Sequence, residues 1–305
     1  MNGLNYGGPP VVEPATDVYT INVSSVLAFR RCRYRWICAW VLNRVPHVVP
    51  ALEFGKLLHT VLEDVNLGRS TMAQAMDALA VRPEALIDES AVMELLKYRE
   101  HLEAWTDRYP FEVPVLEAEE PFTIVSPFDA SIAFKGRPDR FGLLWDNVVH
   151  VQNRSLHSGK NFLLYTRLAR RHDHELLYGW YAANVKYPQH PYGGTVFNLL
   201  RKIAPRDRKK QLRPLVEIMW QGLVPYAPEE QVAGVWRLTE WAREMRECEE
   251  RFRATGEFPL PNEDANGGFF GNSEDPYFKV LLGETTLEND RLFVDREDTY
   301  AERLP

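Results

Sequence analysis

The spacing of apolar residues changes character along this chain. Val26, Phe29, Tyr34, Ile37 and Val41 recur at helical intervals, and Asn22, Ser24 and Ser25 precede them as N-cap candidates. This predicts a helix from Asn22 to about Asn43. Leu52, Leu58, Val61, Leu62 and Val65 predict a second helix over 51–66. Ser70 reads as the cap of a shorter one over 71–80. Pro83 opens a long helix that ends before Pro110 and carries Leu86, Val92, Leu95, Leu96, Leu102 and Trp105.

Beyond Pro110 the pattern turns to Val, Ile and Phe. Residues 111–125 contain two prolines and read as an edge strand. Short strands are predicted over 131–135, 140–145 and 148–153, with Asp146-Asn147 as the turn of a hairpin. A helix over 173–186, a buried strand over 194–200 and a charge-rich helix over 228–255 follow. Gly7-Gly8-Pro9-Pro10 marks residues 1–20 as an extended tail. The order predicts an α/β fold: a central mixed β-sheet flanked by helices, with an N-terminal helical subdomain. The predicted division is a tail over 1–20, one domain over 21–257 (helical to 110, sheet core beyond) and an irregular acidic segment over 258–305.

Composition adds exclusions. The start lacks both a basic stretch and an apolar core, so no signal peptide is expected. No apolar run approaches the ~20 residues of a membrane span, so no membrane association is expected. Cys32, Cys38 and Cys248 are too few for a disulfide framework, which predicts a reducing, cytoplasmic setting. The net charge of −7 argues against a globally basic nucleic-acid coat. Binding follows local charge, however. Arg201, Lys202, Arg206, Arg208, Lys209, Lys210 and Arg213 crowd one segment, and Arg167, Arg170 and Arg171 another. Either could grip backbone phosphates, with Tyr165, Trp180 and Tyr181 stacking on bases. A basic run is equally what keeps an exposed loop soluble. Arg30, Arg31, Arg33 and Arg35 form a second such face, or the outer side of the first helix.

Four motifs stand in a particular order. Ser24-Ser25 leads to Arg30-Arg31-Cys32-Arg33-Tyr34. Gly55 precedes His59 and Glu63. Gly136-Arg137-Pro138-Asp139-Arg140 precedes His150-Val151-Gln152-Asn153-Arg154. His174-Glu175-Leu176-Leu177-Tyr178 leads into the strand ending at Arg201-Lys202. Together, over residues 24–202, they resemble the PD-(D/E)XK nuclease superfamily, in its RecB-like exonuclease branch of phage and CRISPR-associated type. The resemblance implies a restriction-endonuclease-like core and DNA hydrolysis with Mg²⁺ or Mn²⁺. It also implies a role in recombination or repair, in a bacterial or phage-infected cell, with a recombination or replication protein as partner.

Phosphodiester hydrolysis needs charge neutralisation at phosphorus and an activated water, which divalent ions supply from hard oxygen ligands. In the resemblance His59 and Asp139 take the metal positions. Gln152 falls where the second carboxylate belongs, assisted by Asn153, and Arg154 falls where the lysine belongs. His174 replaces the glutamine of the helical motif, while Tyr178 is kept. An arginine holds phosphate but is no base. Three explanations stay open: a degenerate site in a DNA-binding or assembly protein, compensation by Lys135, Glu119, Glu120 or Asp146, or engineered inactivation. Blander readings also stand: Asp139 as a turn residue after Pro138, and Glu119 and Glu120 as a solvated edge. Cys32 occupies one cluster position of the iron–sulfur relatives, but Asp275 and Leu281 stand where thiolates would be, so no iron–sulfur cluster is expected. Cys32 and Cys38 then read as small buried residues.

Overall fold

The computed structural model of the chain describes residues 17–46, 50–80, 89–96, 98–100, 102–103, 113–118, 120–156, 173–201, 219–260, 276–281, 283–289 and 292–295. These form two compact units, one from 49–120 and 137–235, the other from 9–48, 121–136 and 236–305. Two mixed sheets flanked by helices make up the α/β fold.

The first unit holds a five-stranded sheet in the order β3-β6-β7-β8-β9. Its strands are β3 (Val115–Ala118), β6 (Arg140–Leu144), β7 (Asn147–Leu156), β8 (Tyr192–Arg201) and β9 (Met219–Val224). β6 and β7 form an antiparallel hairpin, while β7 and β8 run parallel. A parallel pair needs a crossover, and helix α6 (Asp173–Tyr181) lies on that crossover, followed by a π-helical turn over Ala182–Lys186. The hairpin turn sits one residue earlier than the sequence pattern suggests: Trp145 and Asp146 both have positive φ, 50° and 63°, as a primed turn requires.

Both faces of β7 are covered over its described part, which explains the unbroken burial from Val148 to Gln152. Val149 and Val151 pack with Val113, Leu144 and Val196 on one face. His150 and Gln152 alternate to the other. Gly179 lets α6 approach that face closely, since a Cβ there would stand 2.4 Å from the Tyr192 ring. Helices α3 (Pro50–Asn66), α4 (Met72–Ala80) and α5 (Glu89–Leu96) share a core of Leu57, Leu58, Val61, Leu62, Met72, Met76 and Leu95. The cap of α4 is Thr71 rather than Ser70. Thr71 Oγ1 accepts from Gln74 N at 3.2 Å and Gln74 Oε1 accepts from Thr71 N at 2.9 Å, a reciprocal capping box.

In the second unit β1 (Tyr19–Asn22) pairs parallel with β5 (Asp129–Gly136), and β5 pairs antiparallel with β4 (Phe122–Ser126). The expected single edge strand over 111–125 is therefore two strands in different sheets. Pro121, which has no N–H to give a ladder, stands just before β4. The expected first helix is also divided. α1 (Val23–Arg31) ends at Cys32, whose backbone is extended (φ −163°, ψ 109°), and α2 (Arg33–Trp36) continues into a π-helical turn over Ile37–Val41. Asn22 caps α1, accepting from Ser24 N at 3.0 Å.

The remaining described elements are β2 (Arg44–Pro46), α7 (Pro228–Thr255), α8 (Pro276–Leu281) and β10 (Phe293–Asp295). The last two show that the C-terminal segment is not irregular throughout. β10 pairs with β2, and Cys32, Cys38, Tyr34, Tyr277, Leu287 and Phe293 form one buried cluster. Burial pushes the Cys38 thiol up to about 12, so it stays protonated there. Among the described residues no helix is long and apolar enough to cross a membrane.

Asp129 ties β5 to α7. Burial would raise its pKa, but the Ser131 hydroxyl and Arg243, with Nε at 2.8 Å, outweigh that and hold the carboxyl at about 2. A carboxyl depressed in the folded state contributes stability above its unfolded pKa of ~3.9 and loses it as pH falls toward 2. Asp129→Asn is therefore expected to melt below wild type at pH 6. The gap should close between pH 4 and 2, as followed by circular dichroism. A gap that stays constant across that range contradicts the assignment.

Candidate active site

Helix α3 buries Leu58 and Leu62 and so carries His59 and Glu63, also one turn apart, along a half-buried flank. The Gly136-Arg137-Pro138-Asp139 segment ends where β6 begins. The structure brings these two motifs together: His59 Nδ1 lies 3.8 Å from Asp139 Oδ1, with side chains 36% and 17% exposed. Glu63 is engaged elsewhere, with Arg137 at 3.4 Å and Arg69 at 3.8 Å. Arg140, at the start of β6, donates to Asn66 Oδ1 at 3.0 Å and fastens the strand to the end of α3.

β6 pairs Arg140 with Val151, so Asp139, in the bend just before β6, and Gln152 of β7 each lie one residue past that pair. Gln152 is buried, 6% exposed, and its side chain turns to α6: Nε2 donates to Glu175 Oε1 at 2.5 Å. Glu175 is fully buried. Its Oε2 also meets His150 Nδ1 at 2.8 Å and accepts from Thr195 Oγ1 at 3.0 Å. Two donors, Gln152 Nε2 and Thr195 Oγ1, converge with the His150 ring on one side chain, an arrangement that suits an ionised carboxylate when His150 carries its proton on Nδ1. Because the Thr195 proton points to Glu175, Tyr192 donates to Thr195 Oγ1, at 3.0 Å. Burial first, and the Glu175 charge second, raise the Tyr192 phenol and keep that proton in place. Tyr178 stands edge-on to His150, ring centroids 5.0 Å apart, so it packs against this network.

The network was not foreseen from sequence, although its signals are there. His150 and Gln152 sit two apart on a strand, and Glu175 interrupts an otherwise apolar helix face. The sequence also suggests Asp146, Glu120, Lys135 and Glu119 as compensating residues. Asp146 is exposed at the hairpin turn, the opposite end of β6 from Asp139. Glu120 is exposed beside Lys186 at 3.7 Å, whose amine is held closer by Glu117 at 2.7 Å. Lys135 is an exposed residue of β5 in the second unit, in register with Asn22 and Thr123. Glu119 lies outside the described residues.

Asn153 and Arg154 continue β7, opposite Asn198 and Leu199, and His174 stands in the first turn of α6; their side chains lie outside the described residues. Arg201 ends β8. Lys202, Arg206, Arg208, Lys209, Lys210 and Arg213, like Tyr165, Arg167, Arg170 and Arg171, lie outside the described residues.

Among the described residues no three His, Cys, Asp or Glu side chains converge as a metal site. The donors that are present nevertheless suit one hard cation. With ligand bonds of ~2.1 Å, two donors to one octahedral ion stand about 3.0 Å apart when adjacent and about 4.2 Å when opposite, so the pair at 3.8 Å would close by under an ångström to bind as adjacent ligands. A third oxygen, Gln152 Oε1, is buried and accepts no hydrogen bond among the described residues.

Residues 20–265 match the family model of the PD-(D/E)XK nuclease superfamily. The chain belongs to that superfamily, whose members act on nucleic acid and typically use divalent metals. A search of curated proteins finds no match. A solved structure described as "Crystal structure of SSO0001" aligns with 81% of this chain and 90% of its own, at 12% identity and a TM-score of 0.30, too loose a superposition to bear on the fold.

Proposed function

We propose that the chain is a RecB-like DNA nuclease that depends on Mg²⁺ or Mn²⁺ and acts as an exonuclease in recombination or repair. The observation that carries this reading is the His59–Asp139 approach, which joins two motifs eighty positions apart at 3.8 Å. His59 Nδ1, Asp139 Oδ1 and Gln152 Oε1 would hold the cation, with the Asn153 carbonyl as a further donor. A bound ion would polarise the phosphate and acidify water. Arg154, charged at every working pH, is assigned to the phosphate and has no role as a base. The basic run over 201–213 is assigned to the DNA backbone, and residues 21–257 to the nuclease domain.

A second reading, a DNA-binding pseudonuclease, is favoured by one observation: the amide at position 152 is engaged with Glu175. End-labelled linear DNA and closed circular DNA separate the two. The nuclease reading expects linear DNA to be degraded from its ends in Mg²⁺ or Mn²⁺, with EDTA stopping the reaction. Gel shifts with no loss of label in either ion would leave only the second.

A further inference from the structure

We propose that Glu175 is a positioning residue for cation capture: by holding Gln152 Nε2 it turns Gln152 Oε1 away from itself and presents that carbonyl as a donor beside Asp139. The inference deepens the cation-dependent nuclease reading and rests on it.

A glutamine in an acid's place is neutral and has two ways round. Here only one is open. Flipping the amide would press its carbonyl oxygen against Glu175 Oε1 at the 2.5 Å now spanned by a hydrogen bond. Glu175 cannot swing away either, because His150 at 2.8 Å and Thr195 at 3.0 Å fix its other oxygen, and Tyr192 fixes Thr195. Gln152 Oε1 is thereby left buried with no donor among the described residues. An orphaned buried acceptor costs about 1–3 kcal/mol. A hard cation, or its bound water, is the partner that removes that cost.

The same contact supplies charge at one remove. A carboxylate accepting from the amide N–H polarises the amide and makes its oxygen a stronger donor, as carboxylates behind metal-bound histidines do. Both Glu175 oxygens are taken up by neighbours, so it acts through Gln152 and not as a ligand itself.

The test is isothermal titration of the full chain with MnCl₂, with circular dichroism and melting as the check on folding. Glu175→Gln keeps the shape, removes the charge and frees the amide to flip. It is expected to weaken Mn²⁺ binding about 10- to 100-fold, the usual effect of losing such a partner. The exchange variant Gln152→Glu with Glu175→Gln keeps one acid and one amide across the contact. It is expected to bind Mn²⁺ at least as tightly as wild type. A folded Glu175→Gln protein with wild-type affinity, even one that melts lower, shows a purely structural contact and overturns the proposal. If Glu175→Gln does not fold, the exchange variant decides, and weaker binding there overturns it. Asp139→Ala separates the two levels. If wild type takes up no Mn²⁺, or Asp139→Ala leaves uptake unchanged, the nuclease reading fails and this inference with it.

Discussion

Asp139→Asn is expected to reduce DNA cleavage more than about 100-fold while leaving DNA binding in Ca²⁺ intact. Losing a partner behind a ligand costs 10- to 100-fold, and losing a charged ligand itself should exceed that. The substitution keeps the shape of a side chain that is only 17% exposed, so the fold should survive. What it removes is charge. Position 152 already carries an amide, so Asp139→Asn would leave one imidazole and two neutral carbonyls facing a divalent ion. Magnesium, small and slow to shed water, is usually held by one or two carboxylates, and Asp139 is the only one among the residues assigned to it. The check is the rate of label release from end-labelled linear DNA. Cleavage within threefold of wild type would place the metal elsewhere.

The second large effect is on stability. Gly194 has φ of 123°, a region that L side chains rarely adopt, and a Cβ there would lie 2.3 Å from the Val224 carbonyl oxygen. Backbone strain of ~1–3 kcal/mol adds to an overpacking cost of similar size. Gly194→Ala is therefore expected to destabilise the chain by about 2–6 kcal/mol, a large part of the ~5–15 kcal/mol typical of folded proteins. The position matters to the site as well. The β7–β8 register shifts between Val148 and Val149, so Gly193 is passed over and Thr195 comes opposite His150. Thr195 then reaches Glu175. Urea unfolding measures the loss, and a change below about 1 kcal/mol would contradict this account of the bulge.

Sequence spacing was a good guide where local periodicity decides the outcome. The helices over 50–66, 173–181 and 228–255 and the 140–156 hairpin lie close to their expected places. Their apolar stripes and turn residues are complete within a single element. It was a poor guide where long-range pairing decides. Tyr19 and Thr20 read as the end of a tail, and Asn22 as a helix cap, because Tyr19–Asn22 becomes a strand only beside β5, more than a hundred residues away. Met219–Val224 likewise gains its identity from β8. The break at Cys32 has no helix-breaking residue to announce it.

The site divides in the same way. His59 and Asp139 are recognisable by motif, and the fold sets them side by side. Gln152 and Glu175 are not recognisable as a pair, because a strand residue and a helix residue meet only after the crossover closes. Gln152 alone looks like a lost acid. Beside an ionised Glu175, an amide at 152 avoids placing two buried charges of like sign in contact.

The most direct measurement is Mn²⁺ uptake by the full chain, read from the electron paramagnetic resonance signal of free Mn²⁺, for wild type, His59→Ala and Asp139→Ala. The expected result is one ion bound per chain in wild type and none in either variant at the same concentrations. No uptake by wild type, or uptake that survives the loss of Asp139, would contradict a metal-dependent nuclease centred on these residues.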